Sequence, residues 1–106
     1  MTNLVILIGR LTKDIDLKMA SSGDKYCKFT VACNRRKGTD GQQQADYIQC
    51  SAWRQSADYL SRYAVKGTLI SVEGSIRTGS YEINGVKNYT VEVLANNVQI
   101  LESKGN

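Results

Sequence analysis

The 106-residue chain contains no histidine and no proline, one tryptophan, one phenylalanine and three cysteines. Without histidine there is no imidazole to complete a zinc site or a Cys/His dyad, and no G-x-S-x-G elbow gives the plentiful serines a nucleophilic triad. Cys27, Cys33 and Cys50 lie in strand-like runs, lack zinc spacing and read as small buried hydrophobes. The amino-terminal apolar run, Leu4 to Ile8, is far too short for a signal or membrane segment, so a cytoplasmic chain with no membrane partner is expected. Glycines occur singly, as in "IGR", "KGT" and "EGS", and nothing resembles a phosphate-cradling loop. Asp14 and Asp16 form a D-x-D pair, but without further convergent acids it reads as a turn rather than a two-metal centre. No catalytic constellation, metal site or cofactor is expected.

What is present is a mildly basic, foldable chain. Apolar residues make up 42% and charged residues 23%, the proportions of a globular protein, and the length fits one compact domain. The net charge of +4 tilts the partner toward an anion, although surface charge of this size is also ordinary. Strand one, residues 3–11, is apolar on both faces, with Leu4, Ile6 and Ile8 on one and Val5 and Leu7 on the other. Both faces need a cover, and in a small domain the second is readily another subunit. Strand two, 25–34, points Cys27, Phe29, Val31 and Cys33 inward and Tyr26, Lys28, Thr30 and Asn34 outward. A polar loop, "NRRKGTDGQQQA", leads to strand three. Then "QSADYLSRYAVKG" changes period, setting Ala57, Leu60, Ala64 and Tyr63 on one helical stripe with Gly67 as its terminator. Strand four is "TLISVEGSIRT", and "YEINGVKNYTVEVL" reads as a hairpin turning at Asn84-Gly85. Strand five runs over 87–94, and "NNVQIL" adds a short closing segment.

That order is the order of the OB-fold, an all-β, five-stranded Greek-key barrel with one short helix between strands three and four. An SH3-like barrel or a small sandwich shares much of it; the position of the single helix favours the OB arrangement. The domain spans 1–102, leaving 103–106 as a short polar end.

Strand three raises the functional question. In "DYIQCSAWR", residues 46–54, period two sends Ile48, Cys50 and Ala52 to the core and Tyr47, Gln49, Ser51 and Trp53 to the other side. Large rings on a half-polar face are covered either by a neighbouring element or by a ligand. On the packing alternative, Trp53 lies against the helix and Tyr81 merely begins a hairpin.

"NLVILIGRLTKDIDL", "FTVACNR", "DYIQCSAWR", "YAVKGTLISVEGSIRTGSY" and "VEVLANNVQIL" resemble, in order and spacing, the motifs of the bacterial and phage single-stranded-DNA-binding protein family. The resemblance covers nearly the whole chain. It implies an OB-fold that assembles as a homotetramer and binds single-stranded DNA without strong sequence preference in replication, recombination and repair, with no catalysis and no cofactor. It sets Tyr47, Trp53 and Tyr81 at aromatic positions associated with base stacking. By strand parity Tyr81 also shares the face of Arg77 if no bulge intervenes, which sets a cation beside a ring. Where some family members carry a further aromatic after strand two, this chain has "NRRKG". Arg35, Arg36 and Lys37 become candidate DNA contacts there, with Arg10, Lys28, Arg54, Lys66, Arg77 and Lys87 as weaker ones. The family's acidic, phenylalanine-terminated tail does not follow "QILESKGN", so replication and repair proteins would be partners without that means of recruitment. The competing reading is an OB-fold protein-interaction or replication-restart module with weak nucleic-acid binding, in which Tyr59 and Tyr63 near the helix surface meet another protein.

Overall fold

The computed structural model describes residues 1–37, 39 and 41–103. Along the chain run β1 (Val5–Leu11), β2 (Lys18–Met19), β3 (Lys25–Asn34), β4 (Ala45–Trp53), α1 (Gln55–Tyr63), β5 (Leu69–Ile83) and β6 (Val86–Glu102). The strands pair in the order β1-β5-β6-β4-β3-β2. β1 also meets β3 through Arg10↔Ala32 and Leu11↔Val31, and β4 joins β6 in parallel through Cys50↔Val93 and Ser51↔Leu94. These two short contacts close the sheet on itself, with the helix between β4 and β5, as the OB-fold requires.

Alternation decides which side chains fill the barrel. Cys27, Phe29 and Val31 of β3, Cys50 and Ala52 of β4 and Ile70 and Val72 of β5 are buried together, and α1 adds Ala57 and Leu60. Burial pushes the Cys27 thiol up to about 11 and the Cys50 thiol up to about 12, so both are protonated at neutral pH. The D-x-D stretch is structural: the Lys66 amide donates to Asp14 Oδ1 at 2.7 Å, tying the segment after β1 to the turn after the helix.

Three sequence expectations are corrected. The helix ends at Tyr63, short of Gly67, because Ala64 already has extended backbone (φ −115°). Gly67, at φ 91°, turns the chain so that its amide donates to the Leu11 carbonyl, and Tyr63 is exposed rather than on the buried stripe. Secondly, strand four does not stop before the hairpin, since β5 continues to Ile83 and forms the hairpin's first arm. The turn is as expected: Asn84 and Gly85 both have positive φ, between paired Ile83 and Val86.

Thirdly, "NNVQIL" is not a separate closing segment. β6 runs through it with a register shift, for Glu73 pairs with Asn97 while Gly74 pairs with Ala95. The extra residue, Asn96, forms a bulge, so Val93 and Ala95 share the core face with Val98 and Ile100 although their parity differs. A glycine is required opposite, because a Cβ at position 74 would run into the Leu94 carbonyl. β2 is an additional two-residue ladder beside β3. The polar end assigned to 103–106 lies, beyond Ser103, outside the described residues, as do Gly38 and Asp40 of the polar loop.

Candidate nucleic-acid interface

Strand pairing sets the rings on one outer surface. Across β3 and β4, Tyr26 opposes Trp53, Lys28 opposes Ser51, Thr30 opposes Gln49 and Ala32 opposes Tyr47. Beyond the parallel contact of β4 with β6, the same side of the long hairpin carries Glu92, opposite Arg77, and Asn88, opposite Tyr81. Ser51 donates to Glu92 Oε1 at 3.4 Å, which joins β4 to the hairpin at the base of this surface. Tyr47 faces only the small Ala32 and is 68% exposed; Tyr81 is 51% and Trp53 38% exposed. Trp53 stacks on Tyr26, with ring centroids 4.8 Å apart and planes at 21°. Between Arg77 and Tyr81 the register is unbroken, so cation and ring do share a face.

The basic candidates divide by their partners. Arg35 is engaged: its Nη2 and Nε donate to Asp46 Oδ1 at 2.7 and 2.9 Å. That pairing raises the Arg35 pKa and holds the Asp46 carboxyl below the usual carboxylate range. Arg54 pairs with Asp24 at 3.4 Å. Arg10 lies on the β1 side of the barrel, held by Glu102 at 3.1 Å and the Gly67 carbonyl at 2.9 Å. Lys87 falls on the opposite face of the hairpin from Tyr81, 5.9 Å from the Tyr89 ring centroid. Lys28, Arg36, Lys37 and Arg77 are exposed, and none pairs with a carboxylate among the described residues. Lys28 also borders an open cleft of about 460 Å³ between the Thr12–Asp16 stretch, β3, β4 and β6, whose outer side includes Gln49 and Thr90.

Tyr26, Lys18 and Glu92 belong to this surface and were not singled out by the sequence. Alternation faces Tyr26 outward, but its contact with Trp53 depends on strand register, and β2 carries no apolar pattern to announce Lys18. Tyr59 is structural: its hydroxyl accepts from the Ile100 amide at 3.1 Å. Among the described residues no group of three metal-ligating side chains occurs, and no helix is long and apolar enough to cross a membrane.

An OB barrel that carries exposed rings and, among the described residues, cations without a carboxylate partner on its outer surface has the make-up that nucleic-acid-binding domains use. The chain belongs to the single-strand binding protein family, whose model matches residues 2–101. It is 48% identical, over its whole length, to single-stranded DNA-binding protein 1 of Streptococcus pyogenes serotype M18, spanning 83% of that protein. Identity is 44% to single-stranded DNA-binding protein 3 of Listeria innocua serovar 6a, again over the whole chain and 68% of the relative. With the single-stranded DNA-binding protein of Enterococcus faecalis it is 45% over 98% of this chain and 56% of the relative.

Proposed function

We propose that this chain binds single-stranded DNA without strong sequence preference, stacking bases on Tyr47, Trp53 and Tyr81 and neutralising phosphates with Lys28, Arg36, Lys37 and Arg77. The observation that carries the reading is the exposure of three rings on the outer side of β4 and of the β5–β6 hairpin, together with exposed cations that have no carboxylate partner among the described residues. Every base has a π face, so stacking tolerates any sequence, while the cations supply a salt-sensitive attraction to the backbone. In this reading the protein covers exposed single strands during replication, recombination and repair in the cytoplasm.

It does so as a homotetramer. Val5 and Leu7 pack on the core, but Leu4, Ile6 and Ile8 remain 64%, 62% and 57% exposed. β1 pairs with β5 from Val5 to Arg10 yet meets β3 only at Arg10 and Leu11, which leaves one edge of Val5–Gly9 without a strand partner among the described residues. Another copy covers the apolar face and satisfies the edge together.

Titration with oligo-dT tests the binding reading, with saturating single strands quenching the emission of Trp53 and duplex DNA quenching far less. Trp53→Ala lowers affinity by roughly 1–3 kcal/mol with the salt slope unchanged. Unaltered emission at saturation, with binding established separately by anisotropy, removes Trp53 from the DNA path.

A further inference from the structure

We propose that Tyr26 is a fourth base platform, and that Tyr26, Lys18 and Lys28 form a nucleotide subsite extending the DNA path across β3 to β2. The inference rests on the single-strand-binding reading above and adds a direction to it.

Strand register builds the site. Lys18 of β2 opposes Tyr26 of β3, which opposes Trp53 of β4, so the three side chains form one rank on the outer face. Lys28, two residues along β3 from Tyr26, stands in the next rank on the same face. β2 and β4 flank β3 on opposite sides, so the Tyr26 ring stands between Trp53 and Lys18. One of its faces is taken by the indole at a centroid distance of 4.8 Å. The ring also borders an open cleft of about 240 Å³ shared with Lys18, Lys28 and Asp16, which Trp53 does not line.

A flat wall with two ammonium groups beside it matches one nucleotide: the base lies on the ring and its phosphates reach the cations. The cations are available. Lys28 has no carboxylate partner among the described residues, and Lys18 only grazes Asp16 at 4.0 Å, with both side chains mostly exposed. Such an exposed pair holds little energy, so a phosphate displaces the carboxylate at small cost. Because Tyr26 and Trp53 are already stacked, a base on Tyr26 extends an existing column of rings instead of assembling a new one.

The test uses the full chain and oligo-dT substituted with 5-iodouracil, which photocross-links to an aromatic side chain lying against it. Cross-linked peptides are expected at Tyr26 as well as at Trp53. Tyr26→Leu is expected to weaken oligo-dT binding roughly 5- to 150-fold at an unchanged salt slope, and Tyr26→Phe to restore it. Lys18→Ala, on an exposed side chain that leaves the fold intact, is expected to flatten the slope of log affinity against log salt by about 0.7. A wild type that binds with quenched Trp53 emission but yields no Tyr26 cross-link, together with a Lys18→Ala slope equal to wild type, overturns this inference alone. A wild type with no oligo-dT binding overturns the underlying reading instead.

Discussion

Among the described residues, two of the three consecutive cations after β3 have no carboxylate partner, so on the proposed function the loop's contribution to DNA binding is calculable. The Arg35 guanidinium is fixed on Asp46 and its amide donates to the Gln44 carbonyl at 2.7 Å, whereas Arg36 and Lys37 are exposed without a carboxylate partner among the described residues. Each phosphate neutralised on a single strand contributes about −0.7 to the slope of log affinity against log salt. The double variant Arg36→Ala/Lys37→Ala should therefore flatten the slope by about 1.4, while Arg35→Ala should leave it near the wild-type value. Between 50 and 200 mM salt that difference amounts to about a sevenfold smaller loss of affinity for the double variant. The pH behaviour follows the same contact. Asp46 is held below the usual carboxylate range, so the pair is complete above the ordinary carboxylate pKa and is lost only as pH falls through the depressed one. The two-bond Arg35–Asp46 pair is thus complete throughout the neutral range. Trp53 fluorescence titrations with oligo-dT at several salt concentrations give the three slopes, and circular dichroism checks the fold of each variant. An Arg35→Ala slope as flat as that of the double variant, or a double variant with the wild-type slope, would refute this division of the loop.

Two further outcomes follow from burial. Ile6→Asp should fold, because Ile6 is exposed in one chain, yet on the proposed assembly should sediment as a smaller species than the wild type at micromolar concentration; Leu7→Asp places its charge against the core and should unfold the domain. A wild-type monomer in sedimentation would refute the assembly reading. In the native protein at neutral pH, Ellman's reagent should titrate Cys33 alone and slowly, since all three thiols are raised by desolvation and only Cys33 is partly accessible. Denaturation should release Cys27 and Cys50, and rapid native labelling of either would contradict their burial.

The parts of the fold that were legible in the sequence are those governed by local period. Alternation in β3 and β4 separates Phe29, Val31, Cys50 and Ala52 from Tyr26, Lys28, Tyr47 and Trp53, and Asn84-Gly85 marks a two-residue turn. Ser51 breaks the rule, for it lies on the outer parity yet is buried beside Glu92. What local period cannot carry is pairing. The bulge at Asn96 shifts the alternation of β6 in mid-strand, and a phase break looks the same in sequence whether the strand ends or merely gains a residue. Ion pairs were hidden for a similar reason. Arg35 and Asp46 are distant along the chain and meet only because β3 and β4 are in register, and the same register stacks Tyr26 on Trp53.

The length of the β5–β6 hairpin gives the rings two different mountings. Trp53 sits at the end of a strand bonded to β3 on one side and, through neighbouring residues, to β6 on the other, over a buried core. Tyr81 stands far out on a ribbon of two strands, where nearly every residue from Ile76 to Val91 is exposed. An isolated two-stranded ribbon has little stability of its own, and such segments open and bend at free energies well below that of the whole domain. One ring is thus mounted on the closed barrel and the other on the part of the sheet with the fewest neighbours to hold it. On the proposed function, a polymer as pliable as a single strand would be held in position at Trp53 and followed along its curvature at Tyr81.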